Sequence, residues 1–409
     1  MSIRKTVGAL IAGFALCYSW NAMAEPQMKF QFGAAGDTQV QDTYDATRGY
    51  GFEPDEADAP WTRFSVRVPE GNYRVTVQLG ANDRASQTSV AAESRRLMLE
   101  NVATKRGEIV ERSFIVNVRN ASLAKPPQNA PGGATVRLKE REVGSFTWDD
   151  KLTLQFIGQH RALAGLSIEP VEVPVLYLTG DSTVTDQSTS PSASWGQILP
   201  RFMSDNIAVA NHAESGETLK SFLTSLRLDK VLASVRPGDW VLMQFGHNDQ
   251  KQQWPQTYAD AATTYRAYLR TYIAEARLRG AMPILVTSPE RANFDDAGHI
   301  KPSHGAYPDA VREVAREESV ALIDLHAMSV AFYEALGTRD TDLAFADGGR
   351  DRTHHSNYGA YELARRIAWG IHKADPKLMA NLGDRLADDA RIDKLPPVKP
   401  SKRFSNDSL

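Results

Sequence analysis

A serine, a histidine and an aspartate stand where they could together carry out acyl transfer. Ser182 lies four residues after the apolar run Val175–Leu178, and Asp351 precedes His354 by three residues. A serine hydroxyl is a weak nucleophile, so a base must take its proton. His354 can do this near neutral pH, and one turn of chain can bring the Asp351 carboxylate to the far imidazole nitrogen. These residue types and this spacing predict a hydrolase that acts through an acyl-enzyme.

The same chemistry needs hydrogen-bond donors for the oxyanion that develops in the transition state. Three candidates follow apolar runs: the backbone N–H of Ser182, the backbone N–H of Gly216 and the side-chain amide of Asn248. Glycine suits such a position because its backbone can approach a ligand without a Cβ.

Each of these residues also has a structural interpretation. Ser182 could cap the next helix, and Asn248 could simply form a turn. Asp351 and His354 could mark the start of a helix, since aspartate favours that end.

Neighbouring residues compete for two of the roles. His355 competes with His354 by adjacency, and Asp347 is an alternative acid to Asp351. The three-residue spacing favours Asp351 and His354. Asp181 is interpreted as a turn-stabilising residue and not as the acid of the site.

Aromatic side chains near these blocks could line a sugar site, although ordinary packing explains each of them at least as well. They are Trp195, Trp254, Tyr307 and Tyr358. The nine histidines show no HExxH or similar metal-binding spacing, so neither a catalytic metal nor a cofactor is expected.

Short apolar runs from Val173 onward predict the elements that position these residues. Such runs suit strands buried on both faces, and helical patterns lie between them, which predicts a parallel, doubly wound α/β sheet. In such sheets function gathers at the carboxyl ends of the strands. The predicted strands are Val175–Leu178, Ile207–Ala210, Trp240–Phe245, Ile284–Thr287 and Val320–Ile323.

Two helical patterns stand out in this region. The clearest begins with Tyr258, Ala262 and Tyr265 at helical spacing and ends at Gly280. The other starts near Asn357, directly after the Asp351–His354 block.

The preceding part of the chain has a different period. From Lys29 to about Pro170 the apolar residues alternate, and turns rich in Gly, Pro and Asn interrupt them. This pattern predicts an antiparallel β-sandwich, with a boundary near Glu169–Val173. The clearest alternating segments are Phe64–Val68, Tyr73–Leu79, Phe114–Val118 and Leu152–Phe156.

The first 24 residues have the features of a signal peptide. Arg4 and Lys5 precede an apolar stretch from Val7 to about Leu16, and Ala22–Ala24 has the small-x-small cleavage pattern. The apolar stretch is too short to span a bilayer, so a secreted or periplasmic protein is expected, with no membrane partner. Cys17 is the only cysteine, so the mature chain would have no disulfide and no thiol site.

The bulk composition is that of a globular protein with room for two domains. The chain has 409 residues, of which 42% are hydrophobic and 24% charged. The formal net charge is −3, from 47 Lys and Arg against 50 Asp and Glu. Without a basic excess, nucleic acid is not expected as a partner. The Pro-rich, charged tail at 394–409 is expected to be flexible.

Four blocks resemble the SGNH hydrolases, which are named after their Ser, Gly, Asn and His. The blocks GDSTV, NHAESG, GHND and DRTH occur in the family's order. The resemblance implies a three-layer, flavodoxin-like sheet, Ser182 as nucleophile, Gly216 and Asn248 as oxyanion donors, His354 as base and Asp351 as its partner. The G-x-S-x-G motif of α/β-hydrolases is absent.

Within that family, the sequence resembles the rhamnogalacturonan acetylesterases. The matching stretches are GDSTV, QFGHND, SHGAYP and the D-x-T-H block followed by NYGA. Those enzymes usually carry Gly-Arg-Ser in the second block, whereas this chain has Gly216-Glu217-Thr218. The replacement changes the charge beside the oxyanion donors. The sandwich resembles galactose-binding-type modules.

These features together predict a secreted serine carbohydrate esterase that removes acetyl groups from a pectin-type plant polysaccharide or oligosaccharide, with rhamnogalacturonan as the expected substrate. Two alternatives are an esterase or lipase for acetylated xylan or other esters, and a non-catalytic carbohydrate-binding protein. The expected division is a signal peptide at 1–24, a β-sandwich with a possible carbohydrate-binding role at 25–170, a catalytic domain at 171–393 and a tail at 394–409.

Overall fold

The computed structural model describes residues 27–32, 42–54 and 61–383. The predicted signal peptide and the predicted flexible tail lie outside these residues. The described residues up to Pro170 are called the sandwich half, and those from Val175 to Gly383 the α/β half.

Nine strands in the described residues of the sandwich half form two antiparallel sheets. They are β1 Met28–Gln31, β2 Tyr50–Phe52, β3 Trp61–Arg67, β4 Gly71–Gly80, β5 Ser86–Ala92, β6 Arg96–Thr104, β7 Ile109–Val118, β8 Lys151–Ile157 and β9 Leu163–Pro170. One sheet has the order β1-β9-β4-β7, and the other has the order β2-β3-β8-β5-β6.

Apolar residues at every second position of the strands form the core between these sheets. Val75 and Val77 of β4 are fully buried and belong to one apolar cluster with Phe64 of β3 and Leu154 of β8. Successive side chains of a strand point to opposite faces, so every second residue faces the core. The predicted antiparallel sandwich is confirmed.

The α/β half contains the strands and helices that follow. The strands are β10 Val175–Gly180, β11 Ser192–Ala193, β12 Ala208–Asn211, β13 Trp240–Gln244, β14 Met282–Val286, β15 Ala321–Ile323 and β16 His355–Ser356. The α-helices are α1 Trp195–Ile198, α2 Leu219–Thr224, α3 Arg227–Ser234, α4 Thr264–Leu278, α5 Tyr307–Glu317, α6 Leu325–Asp340, α7 Asn357–Ala374 and α8 Pro376–Met379. Short 3-10 helices lie at Glu140–Glu142 in the sandwich half and at Leu199–Phe202, Thr341–Ala344 and Ala346–Gly349 here.

Five of these strands form a parallel sheet in the order β12-β10-β13-β14-β15. Numbered along the chain, this is the order 2-1-3-4-5 of flavodoxin-like folds. Leu176 and Leu178 of β10 pack with α1, α6 and α7 on one face. Val175 and Tyr177 pack with α2 to α5 on the other. The predicted three-layer α/β fold is therefore confirmed.

One predicted helix is wrong at its start. Tyr258 and Ala262 lie before α4, which begins at Thr264. The Asp260 carboxylate accepts hydrogen bonds from the amide of Ala262 at 3.1 Å and the hydroxyl of Thr263 at 3.0 Å. These local bonds hold a turn there. The helix predicted near Asn357 does begin at that residue.

The two halves pack closely against each other. Ala91 and Leu97 of the sandwich half belong to the same buried cluster as α1 and α7. Nε of Arg96 donates to the Asp186 carboxylate at 2.6 Å, and both side chains are only 2% exposed. β9 ends at Pro170 and β10 begins at Val175; the domain division at residues 170–171 falls between them and stays a prediction.

Candidate active site

Ser182 stands at the carboxyl end of β10, in a tight turn. Oδ1 of Asp181 accepts a hydrogen bond from the amide of Thr183 at 3.0 Å, as expected of a turn-stabilising residue. A Cβ on Gly180 would lie 2.6 Å from a methyl group of Val184 and 2.7 Å from the Gln244 carbonyl oxygen. Only glycine fits this close approach of β10 to β13 and the turn.

The structure brings Ser182, His354 and Asp351 into one hydrogen-bonded series. Nε2 of His354 lies 2.9 Å from Oγ of Ser182. Nδ1 of the same ring lies 2.6 Å from Oδ2 of Asp351. These distances suit a nucleophile, a base and a group that orients the base.

Local hydrogen bonds hold Asp351 as a carboxylate. Its Oδ1 accepts from the amide N–H groups of Thr353 at 2.8 Å and His354 at 3.0 Å. Burial raises the pKa of Asp351, but the hydrogen bonds from the His354 side chain and from these two amides outweigh burial and bring its pKa below the usual value. A charged Asp351 favours the tautomer of His354 with its proton on Nδ1, which leaves Nε2 free to accept a proton.

The three expected oxyanion donors lie on neighbouring loops. The side-chain amide of Asn248, after β13, donates to the Glu217 carbonyl oxygen at 3.1 Å and so joins the loop after β12. Gly216 has φ +79°, a conformation that favours glycine. Within the described part of the chain, the amide N–H groups of Ser182 and Gly216 donate no hydrogen bond. Both are therefore available to a ligand.

Helix capping does not explain Ser182, Asp351 or His354, whereas Asn248 does lie in a turn, where its carbonyl oxygen accepts from the Lys251 amide at 3.0 Å. Ser194, and not Ser182, caps α1, with its Oγ 3.2 Å from the Gln197 amide. Ser356 caps α7, so the Asp351–His354 block precedes the helix without capping it.

The competing residues point elsewhere. His355 is buried, with Nε2 2.7 Å from the hydroxyl of Tyr333. Asp347 is exposed and lies 3.4 Å from Arg350. Neither residue is hydrogen-bonded to Ser182 in the described structure.

Of the four aromatic residues considered for a sugar site, three are buried. Trp195, Tyr307 and Tyr358 have less than a tenth of their surface exposed, so ordinary packing explains them. Trp254 is 41% exposed and lines a groove together with Gly216.

Comparison with known proteins assigns the family. The model of the GDSL-like lipase/acylhydrolase family matches residues 178–362. The rhamnogalacturonan acetylesterase RhgT of Bacillus subtilis (strain 168) is 36% identical over 230 residues, which cover 53% of this chain and 96% of RhgT. This chain belongs to the GDSL-like lipase/acylhydrolase family. It is therefore an ester-bond hydrolase, and the predicted family is confirmed.

The likeness of this GDSL-like hydrolase to a second relative extends over both halves. The uncharacterized esterase YxiM of Bacillus subtilis (strain 168) is 28% identical over 376 residues, covering 84% of this chain and 90% of YxiM. The X-ray crystal structure of YxiM matches with a TM-score of 0.50 and 25% identity, and the match covers 87% of this chain and 100% of the YxiM chain.

Sequence reasoning missed two residues that brace the loops carrying the expected oxyanion donors of this GDSL-like hydrolase. Asp249 accepts from the amides of Gly246 and Leu219, both at 2.9 Å, and so ties the loops after β13 and β12 together. Nζ of Lys251 donates to Oδ1 of Asn248 at 2.8 Å. That bond fixes which end of the Asn248 amide faces the Glu217 carbonyl. The only sequence feature that could have indicated the role of Lys251 is its position three residues after Asn248.

The structure also accounts for Glu217. Its carboxylate is buried and lies 2.7 Å from Nζ of Lys139 and 3.8 Å from Nε of Arg227, and it accepts from the Ser221 hydroxyl at 2.5 Å. Lys139 belongs to the sandwich half. Glu217 therefore anchors the segment between β7 and β8 (residues 119–150, the connecting segment) beside the oxyanion loop. No sequence pattern indicated Lys139.

Two further properties of the described residues complete the site's surroundings. They contain no group of three or more His, Cys, Asp or Glu side chains arranged to hold a metal ion. Among them, no helix is both long and apolar enough to cross a bilayer.

Proposed function

We propose that this hydrolase is a secreted carbohydrate esterase that removes acetyl groups from an acetylated pectin-type polysaccharide or oligosaccharide, with rhamnogalacturonan as the substrate. The observation that carries the proposal is the hydrogen-bonded series from Ser182 through His354 to Asp351, beside two unoccupied backbone N–H groups. The identity with RhgT over nearly all of that enzyme's length supports the choice of substrate.

In the first step, Nε2 of His354 takes the proton from Oγ of Ser182 while that oxygen attacks the acetyl carbonyl carbon. The carbonyl oxygen becomes an oxyanion and accepts hydrogen bonds from the N–H groups of Ser182 and Gly216 and from the amide of Asn248. His354 then gives its proton to the sugar oxygen as the C–O bond breaks. The sugar alcohol leaves, and an acetyl-serine remains.

In the second step, water replaces the sugar. His354 takes a proton from the water as its oxygen attacks the acetyl-serine, and the same donors hold the second oxyanion. The bond to Ser182 breaks, its oxygen recovers the proton from His354, and acetate is released. Asp351 stays ionised throughout and stabilises the imidazolium in both steps.

The interpretation as a non-catalytic binding protein leaves these aligned groups without a role. It also disregards the membership of the chain in a family of ester hydrolases.

The test is acetate release from acetylated rhamnogalacturonan, with acetylated xylan in parallel and Ser182→Ala as the control. The proposal predicts release from the rhamnogalacturonan and its loss in the variant. Release from xylan alone would refute the substrate while keeping the esterase chemistry. Wild-type rates in Ser182→Ala would refute the proposed nucleophile.

A further inference from the structure

The peptide group between Ser215 and Gly216 carries one of the proposed oxyanion donors, the amide N–H of Gly216. This peptide bond is trans, since the one cis bond among the described residues is Ser190–Pro191. In a planar trans peptide group, the carbonyl oxygen and the N–H hydrogen point in opposite directions. Whatever holds the Ser215 carbonyl oxygen therefore also determines where the Gly216 N–H points.

The backbone alone leaves the orientation of this peptide group open. Ser215 and Gly216 lie in a turn, outside any helix or strand. Gly216 has φ +79°, and a residue without a Cβ has several conformations open to it, so the peptide group can adopt more than one orientation. In the described structure, no backbone amide donates a hydrogen bond to the Ser215 carbonyl oxygen. Its orientation therefore depends on side chains.

Two cationic side chains of the connecting segment hold this carbonyl. Nζ of Lys139 donates to the Ser215 carbonyl oxygen at 2.5 Å, and a guanidinium nitrogen of Arg141 donates to the same oxygen at 3.1 Å. Each cation is also paired with a buried carboxylate, Lys139 with Glu217 at 2.7 Å. Arg141 pairs with Glu214. Because the carboxylates neutralise both cations, what the cations add at Ser215 is short-range hydrogen bonding.

A buried ion pair fixes the part of the connecting segment that carries the two cations. Lys139 directly precedes the short 3-10 helix Glu140–Glu142, and Arg141 lies within it. Glu142 is buried and accepts hydrogen bonds from both terminal nitrogens of Arg227, one of them at 3.1 Å. Arg227 is fully buried in α3. This pair docks the short helix on the α/β half, with its cations beside the loop after β12.

We propose that Lys139 and Arg141 are positioning residues for the Gly216 oxyanion donor. By holding the Ser215 carbonyl, they aim the Gly216 N–H at the developing oxyanion. They also strengthen it as a donor, because hydrogen bonds accepted at one end of a peptide group polarise the N–H at its other end. The inference rests on the proposed function and gives the sandwich half a part in the chemical step.

The experiment measures kcat and KM of the full chain for p-nitrophenyl acetate, with acetate release from acetylated rhamnogalacturonan in parallel. An interaction made only in the transition state affects kcat and leaves KM unchanged. Lys139→Met lowers kcat about tenfold, less than the roughly 10²–10³-fold typical of losing an oxyanion donor outright, while KM changes by less than about twofold. Lys139→Arg, which keeps a donor, restores part of the rate.

Arg141→Met has a smaller effect on kcat, because its hydrogen bond to Ser215 is longer and its side chain is 53% exposed. The double variant Lys139→Met/Arg141→Met is slower than either single variant. Lys105→Met, an exposed lysine of the sandwich half, is the matched control and keeps the wild-type kcat. Urea unfolding verifies that each variant is folded.

A second background separates positioning from charge compensation. Lys139→Met also leaves the Glu217 carboxylate without its ion-pair partner at 2.7 Å, so the same change is made in a Glu217→Gln chain. The proposal predicts the same fold-loss of kcat in both backgrounds, because the Ser215 carbonyl loses its donor in each. A loss that disappears in the Glu217→Gln chain would show that Lys139 only compensates Glu217.

Two further results would overturn the positioning role. Wild-type kcat in the double variant would show that the Gly216 N–H needs neither cation. A raised KM with unchanged kcat would place the cations in substrate binding and not in the chemical step. If Lys139→Met fails to fold, Arg141→Met decides, and its wild-type kcat would then refute the role. A wild-type chain inactive on both esters would refute the proposed function, and the positioning role with it.

Discussion

In the α/β half, Ser182 and Asn248 follow strands buried on both faces, so the register of the sheet determines where they lie. The sandwich half reaches the same region through a turn between β5 and β6 and through the irregular connecting segment. Its polar contacts there include those of Arg95 with the Gln187 carbonyl oxygen and of Lys139 with Glu217. The comparison teaches that strand ends position Ser182 and Asn248, whereas the sandwich half reaches their surroundings through irregular structure.

The largest expected effect is on kcat, and it compares a histidine variant of the α/β half with one of the sandwich half. His354→Ala removes the proposed base, so kcat should fall by about 10⁴-fold or more. The matched control is His160→Ala, an exposed histidine of the sandwich half, which should keep the wild-type kcat. The measurement is p-nitrophenyl acetate hydrolysis. A fall of less than tenfold in His354→Ala would contradict the assignment of the base.

The next effect tests the contact between the halves. Arg96→Met leaves the Asp186 carboxylate buried without its ion-pair partner, with only the Asn211 amide still donating to it at 2.8 Å, which should cost about 3–5 kcal/mol of unfolding free energy. Arg67→Met breaks an exposed ion pair with Asp150 and should cost less than about 1 kcal/mol. Urea unfolding compares the two variants. Equal losses would mean that burial of the Arg96 pair is unimportant for stability.

Another effect on stability concerns pH and Glu93, which lies in the turn between β5 and β6. Burial raises the pKa of Glu93 from 4.5 to about 8. The folded chain therefore holds a proton that the unfolded chain releases, and this contribution to stability, complete below pH 4.5, is lost as the pH rises through 8. Glu93→Gln keeps an oxygen for the Thr153 amide without this titration.

We therefore expect Glu93→Gln to lie within about 1 kcal/mol of the wild type at pH 5 and to exceed its unfolding free energy at pH 8 by on the order of 4 kcal/mol. Urea unfolding at the two pH values measures the difference. Parallel pH dependence in the two proteins would show that Glu93 is ionised in the folded state.

The smallest effect concerns support for the oxyanion donors. Lys251→Met removes the donor to Oδ1 of Asn248, so the amide loses its fixed orientation. We expect kcat for p-nitrophenyl acetate to fall about tenfold, less than the 10²–10³-fold typical of losing an oxyanion donor outright. Lys251→Arg should restore part of the rate. No change in kcat would show that Asn248 keeps its orientation without Lys251.

The sequence predicted the elements whose residues follow a simple period. The run Trp240–Phe245 was predicted as a strand, and β13 occupies Trp240–Gln244, because a strand buried on both faces is apolar throughout. The start of α4 was wrong because Asp260 forms local hydrogen bonds that hydrophobic spacing does not register.

Sequence reasoning could find the candidate site residues that follow a predicted strand or that stand a few positions apart in the chain. Asp351 and His354 are three residues apart, so local geometry brings them together. Lys139 meets the carbonyl oxygen of Ser215 across 76 positions of sequence, and no period in the connecting segment indicates that contact. Which aromatic side chain stays exposed also depends on tertiary packing, so the sequence could not separate Trp254 from the buried Trp195.

The central claim is that Ser182 is the nucleophile that His354 activates. The most direct measurement treats the full chain with a fluorophosphonate, which reacts covalently with activated serines, and locates the adduct by peptide mass spectrometry. We predict one adduct, on the peptide that contains Ser182, with loss of activity in proportion to labelling. Labelling should be absent in Ser182→Ala and much slower in His354→Ala. Complete inactivation with Ser182 unmodified and another residue labelled would contradict the account.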